Sequence, residues 1–177
     1  ARFFAHLVWA VSETGKTPAE LIPGILQSLK DLPAEFTAKV NHGLASGISG
    51  AADIDALISI DPEMASFGDM KFYKGATCHI PNALPLSVHL IVKYGNTDAG
   101  TCVEQAAIAN AMMGGDSCTR ALLVGLVLGA RPGAVVPQRW SDRVRMMKIV
   151  DVKHLEAVGI RHTTALRAAL AADSLAL

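Results

Sequence analysis

Six consecutive residues, Gly114-Gly115-Asp116-Ser117-Cys118-Thr119, gather most of the polar chemistry of this 177-residue chain into one place. Two adjacent glycines let the backbone approach a ligand closely, and Asp116, Ser117 and Thr119 set oxygen atoms at neighbouring positions just ahead of a long apolar run. Such oxygen groups suit a hard cation. The same residues also read as local structure, with Asp116 capping the helix that follows and the glycines making the turn into it. Both readings stand on the residues alone.

Other reactive side chains form weaker patterns. Cys78, Cys102 and Cys118 are an odd set without metal-type spacing, which argues against a disulfide framework or a structural zinc site and for a reducing, cytoplasmic setting. Cys78 precedes His79, but nucleophile and base normally meet through the fold rather than as chain neighbours. His6, His42, His89, His154 and His162 are widely separated and are expected to be half-buried or surface helix residues. No serine sits in a nucleophile elbow, and no glycine-rich phosphate loop carries its lysine. No catalytic residue can be assigned from pattern alone.

The elements that must position these residues are helices. Phe3, Phe4, Leu7, Val8 and Val11 recur at helical spacing up to Thr14-Gly15. Thr17, Pro18 and Glu20 form a capping-box start for a helix over residues 18–30. Pro33 opens a third helix, whose far end Gly43, Gly47 and Gly50 are expected to loosen, and residues 53–60 add a short one. Residues 61–82, with Pro62, Gly68, Gly75 and Pro81, read as a long irregular segment of the kind that often carries function. Helices are then expected over 84–94, from a second capping box at Thr101 and Glu104 to 113, and over 117–129. The last of these, with small residues at Ala121, Gly125 and Gly129, is expected to be the central buried helix. Another turn of helix beginning with Pro137 and Trp140 and a last helical region over 150–170 complete the series.

Composition bounds the rest. The length suits one domain, 1–177. Half of the residues are hydrophobic and only 5% aromatic, with no alternating β-branched runs, which points to an all-α fold. Sixteen basic residues balance sixteen acidic ones, so no net field draws nucleic acid or an anionic membrane. Arg139, Arg143, Arg145 and Lys148 read as a solvated helix face. The longest apolar stretch, residues 121–130, is about half a membrane span. The chain starts in helix-like sequence without a methionine, which suggests preceding sequence.

The run from Gly75 to Trp140 resembles the C-terminal signature region of the ADP-ribosylglycohydrolase family. The matching pieces occur in order: Gly75-Ala76-Thr77-Cys78-His79-Ile80-Pro81-Asn82-Ala83, then Gly114-Gly115-Asp116, then the apolar helix, then Val136-Pro137-Gln138-Arg139-Trp140. The resemblance implies a compact orthogonal multi-helix bundle, here incomplete. It implies hydrolysis of N- or O-glycosidic ADP-ribose bonds with a pair of Mg²⁺ ions, on an ADP-ribosylated protein or small molecule. Family members typically read Gly-Gly-Asp-Thr-Asp-Thr, so Asp116 and Thr119 fall at metal-ligand positions, and Cys118 stands where the second Asp belongs. A usually protonated thiol is a poor replacement for a carboxylate around Mg²⁺. Gly75, Thr77 and His79, with Gly114 and Gly115, fall where the family holds ADP-ribose, and His79 there stacks on or hydrogen-bonds the nucleotide.

The rest of the family's metal set lies in acidic motifs of an N-terminal half, and those motifs are not found in these 177 residues. A missing N-terminal segment or a second chain would have to bring them. The competing readings are a catalytically inactive structural or binding protein on the same scaffold, as the family's crystallin-like members imply, and a generic helical interaction domain.

Overall fold

The computed structural model describes residues 1–60, 64–67, 70–73 and 80–141. The first helix, α1 (Arg2–Thr14), buries Phe3, Phe4, Leu7, Ala10 and Val11 along one face. It stops at Gly15, whose φ of 67° only glycine adopts without strain and whose N–H returns to Val11 O. In α2 (Pro18–Ser28) the carboxylate of Glu20 accepts from the backbone N–H (2.7 Å) and the hydroxyl (2.8 Å) of Thr17. This is the start that Thr17, Pro18 and Glu20 predict. Pro33 precedes α3 (Ala34–Ile48), and α4 (Asp53–Ile60) opens on two acidic residues, Asp53 and Asp55, which favour a helix N-terminus.

Residues 61–82 differ from their sequence reading. They contain an antiparallel hairpin, β1 (Met64–Phe67) with β2 (Met70–Tyr73), in which Met64 faces Tyr73 and Phe67 faces Met70. The following helix, α5 (Ile80–Gly95), starts before Leu84. The next, α6 (Ala99–Met112), is flanked by Asp98, so Thr101 is not its cap. The Thr101 hydroxyl instead points back at Asp98 O, 3.3 Å away. Then follow α7 (Ser117–Gly129) and the short α8 (Gln138–Ser141). The class is all-α, with one small hairpin inserted among the helices. The helix expected over residues 150–170 and most of the basic cluster lie outside the described residues.

The central helix is α5, not α7. It packs against α2, α3, α4, α6 and α7, and Leu86, Val88, Leu90, Ile91 and Val92 are all fully buried. On α7, Val124, Val127 and Leu128 are buried while Leu122 and Leu126 are half or more exposed. A Cβ built at Gly125 or Gly129 would meet nothing within 4 Å, so these glycines are not sites of close helix approach. That approach happens at α3. A Cβ at Gly43 would collide with Pro85 O and lie 2.8 Å from Val88 Cβ, and one at Gly47 would lie 2.7 Å from Val92 Cβ. Gly43 and Gly47 therefore let two backbones touch rather than loosening a helix end.

The chain divides into two units, Ala1–Val135 and Val136–Leu177. The first holds the core just described. Of the second, only α8 is described, where the Arg139 guanidinium lies 5.9 Å from the centre of the Trp140 ring. Among the described residues no helix is long and apolar enough to cross a membrane.

Candidate functional site

Gly114, Gly115 and Asp116 link α6 to α7, and Ser117, Cys118 and Thr119 make the first turn of α7. Gly114 (φ 69°) and Gly115 (φ 65°) are both left-handed, a pair of conformations that side chains would strain. Asp116 caps α7: its Oδ1 accepts from Thr119 N–H at 3.3 Å and its Oδ2 from the Thr119 hydroxyl at 2.8 Å. The Thr119 side chain, then its backbone N–H, hold the Asp116 carboxyl below the usual carboxylate range. Asp116 is thus ionised at neutral pH and spans the first turn of the helix.

Beneath the loop lies a polar pair embedded in the core. Asn110, 2% exposed, donates from Nδ2 to Ser117 O (2.8 Å) and accepts at Oδ1 from Arg120 Nε (2.8 Å). Arg120 is fully buried, and its Nη2 donates to Gly114 O at 2.6 Å. The end of α6, the double-glycine turn and the start of α7 are stitched together by these two side chains. Neither stands out in the sequence, because Arg120 sits in the first turn of an apolar helix and its partner is ten residues away.

A second polar cluster joins α3, α4 and α5. Asp53 Oδ1 accepts from His89 Nε2 (3.0 Å) and Lys93 Nζ (3.0 Å), and Oδ2 accepts from the Tyr94 hydroxyl (2.8 Å). Lys93 also donates to Ala51 O at 2.8 Å. With Nε2 donating to Asp53, His89 Nδ1 is left as the acceptor for the Ser46 hydroxyl, 2.9 Å away. Burial pushes the Asp53 carboxyl up, but the donors from Lys93, His89 and Tyr94 outweigh it and hold the group below its ordinary value. Burial lowers the His89 imidazole further than Asp53 raises it, so the ring is neutral near pH 7. Tyr94 is pushed up to about 12, by burial first and then by the Asp53 charge. His89 is therefore a fully buried, doubly bonded residue rather than a half-buried or surface one. Its partner Asp53 lies 36 residues away in the chain, so no local spacing marks it.

Beside Asp53 opens a cavity of about 240 Å³, lined by Asp53, Ile54, Ala109, Met112 and Met113. Its far wall is the last turn of α6, which runs directly into Gly114. Gly114, Gly115 and Asp116 lie on the turn before α7, and Cys118 and Thr119 in its first turn. Gly75, Thr77 and His79 lie outside the described residues, and so does Cys78.

The model of the ADP-ribosylglycohydrolase family matches residues 1–173, nearly the whole chain. The chain belongs to the ADP-ribosylglycohydrolase family. No curated protein and no solved structure matches it at a significant level. The family match reaches well beyond the Gly75-to-Trp140 signature and takes in α1 to α4.

For an ADP-ribosylglycohydrolase, the donor set at this loop suits Mg²⁺ poorly. Mg²⁺ demands near-octahedral oxygen ligation. Here the loop offers one carboxylate already engaged twice by Thr119, an exposed thiol at Cys118, and a buried guanidinium at Arg120. Among the described residues no three His, Cys, Asp or Glu side chains converge as metal ligands do. The cap itself is testable by substitution. Asp116→Ala is expected to lower the melting temperature by a few degrees, and Asp116→Asn, which can still accept from Thr119 N–H, by clearly less. Equal losses in a thermal melt would show that charge rather than capping is what Asp116 contributes.

Proposed function

We propose that this family member recognises ADP-ribose at the loop of residues 114–119 and is a binding protein rather than a self-sufficient hydrolase. The observation that carries this reading is the state of Asp116: both of its oxygens hold the first turn of α7, and Cys118 stands where a second carboxylate would belong. What the loop retains is the apparatus for an anion. Two glycines without side chains let a phosphate group approach the N-terminus of a thirteen-residue helix, whose dipole favours negative charge, and there it would compete with Gly115 O and Asp116 for the N–H groups of Ser117 and Thr119. Gly75, Thr77 and His79 are proposed as the second wall of the same site, on the family resemblance.

The ligand would be ADP-ribose itself, or the ADP-ribose moiety of a modified protein or small molecule. Cleaving its N- or O-glycosidic bond would call for additional acidic ligands, brought by another segment or a second chain. The Cys118 substitution favours the family's non-catalytic members as the nearer analogy.

Calorimetric titration of ADP-ribose, with and without Mg²⁺ and repeated on Asp116→Ala, tests the reading. The expected result is saturable binding that Mg²⁺ does not alter and that Asp116→Ala weakens by about tenfold or more, by loosening the turn that Asp116 holds rather than by removing a ligand contact. Absence of binding under both conditions would leave a scaffold without the ligand, and metal-dependent release of ADP-ribose from a modified protein would restore the hydrolase.

A further inference from the structure

Arg120 is the largest fully buried side chain among the described residues. Its guanidinium stays charged at any physiological pH. Yet its hydrogen-bond partners are all neutral: Asn110 Oδ1 (2.8 Å), Asn110 O (3.4 Å) and Gly114 O (2.6 Å). Its remaining nitrogen, Nη1, is buried with no partner among the described residues. A buried cation held only by carbonyl groups needs a countercharge close by. Asp116 caps the same helix at the turn whose Gly114 O the guanidinium holds, and its charge acts on Arg120 through space rather than as a contact pair.

We infer that Arg120 is a built-in cation for the Asp116 loop, standing electrostatically where a divalent metal would otherwise be needed, so that the loop is shaped without metal and rejects it. Three features act in the same direction. The guanidinium is positive, the N-terminus of α7 is positive, and position 118 carries a cysteine rather than a second carboxylate to offset them. Through Gly114 O and Asn110 the same guanidinium fixes the turn that a bound ion would otherwise organise. This deepens the metal-independent reading of the loop proposed above and rests on it for the place of the ligand.

The test uses Mn²⁺ alone. It is titrated into the full chain and into Asp116→Asn, Cys118→Asp and Cys118→Asp/Arg120→Gln, followed by calorimetry and by paramagnetic broadening of the amide signals of residues 114–119. Glutamine at 120 is neutral and keeps an N–H donor for the turn. The expected result is no saturable site below about 1 mM in the wild-type chain or in Cys118→Asp, and binding at least about tenfold tighter in the double variant. Equal affinity in Cys118→Asp and the double variant would overturn the inference, as would a wild-type site that Asp116→Asn abolishes. Should circular dichroism show the double variant unfolded, Cys118→Asp decides alone. Its substitution is at an exposed position, and a site tighter than about 1 mM there refutes Arg120 as the barrier, while none supports it. Because no nucleotide is present, a failed ADP-ribose titration with Mn²⁺ still rejected would sink the binding reading and leave this one standing.

Discussion

Asp53→Ala is expected to destabilise the chain by about 2–4 kcal/mol, measured as a shift in urea unfolding. The carboxylate is only 20% exposed and accepts from three side chains of α5, which the substitution leaves without their partner. Lys93, at 23% exposure, can turn to water, which keeps the value below that of a fully buried pair; His89, at 0%, cannot. Asp53→Asn, which still offers one oxygen, is expected to lose about half as much. A shift under about 0.5 kcal/mol for Asp53→Ala would mean that the cluster behaves as an ordinary surface ion pair.

The same cluster sets a pH profile. Asp53 is held below its ordinary value, so its stabilisation is present above the unfolded value of 3.8 and is lost as pH falls through the folded one. His89 is also lowered, so below 6.5 the unfolded chain binds a proton that the folded chain does not, and stability declines from there downward. Tyr94 acts at the other end. Between 10 and about 12 the unfolded chain loses the tyrosine proton first, so stability falls as pH rises through that range. The expected profile is a plateau between about pH 7 and 9, and His89→Gln should flatten its acid shoulder around pH 6 if the fold is kept.

Gly43→Val is expected to destabilise by about 3 kcal/mol or more, enough to abolish a cooperative thermal transition in a marginally stable chain. The obstacle is the backbone carbonyl of Pro85, with Val88 Cβ beside it, and neither can swing aside as a long side chain could. Gly24→Ala is the matched control. A Cβ there meets nothing within 4 Å, and alanine is the better helix former, so a small gain of about 0.5 kcal/mol is expected. If both variants melt alike, α3 and α5 do not pack as closely as described.

Helix starts governed by neighbours within four residues were legible in the sequence: Thr17, Pro18 and Glu20 place α2, and Asp116 places α7. Thr101 and Glu104 matched the same pattern and misled, because Asp98 offers a competing start three residues earlier. The hairpin escaped because four-residue strands carry too few positions to show alternation, although Gly68-Asp69 between Phe67 and Met70 is a pair typical of two-residue turns. Burial along α7 was misjudged for a different reason. Apolar content alone does not say which face has a neighbour, and α5 won the centre through glycines on α3, forty residues upstream of it. In the candidate site, Gly114, Gly115, Asp116 and Thr119 were visible as one run. Asn110, Arg120, Asp53 and His89 were not, since each acquires its role from a partner distant in the chain.

Two adjacent methionines at the end of α6 lie in opposite environments: Met112 is 81% exposed and Met113 only 7%. Dilute peroxide should therefore convert Met112 to its sulfoxide long before Met113, since a thioether in the core is shielded from the oxidant until the last turn of α6 opens. The pair is a chemical clock for that opening. The ratio of the two sulfoxides, read by peptide mass spectrometry over time, would report how often the floor of the Asp53 cavity and the approach to Gly114 come apart, and a ligand held at the loop should slow the second oxidation while leaving the first unchanged.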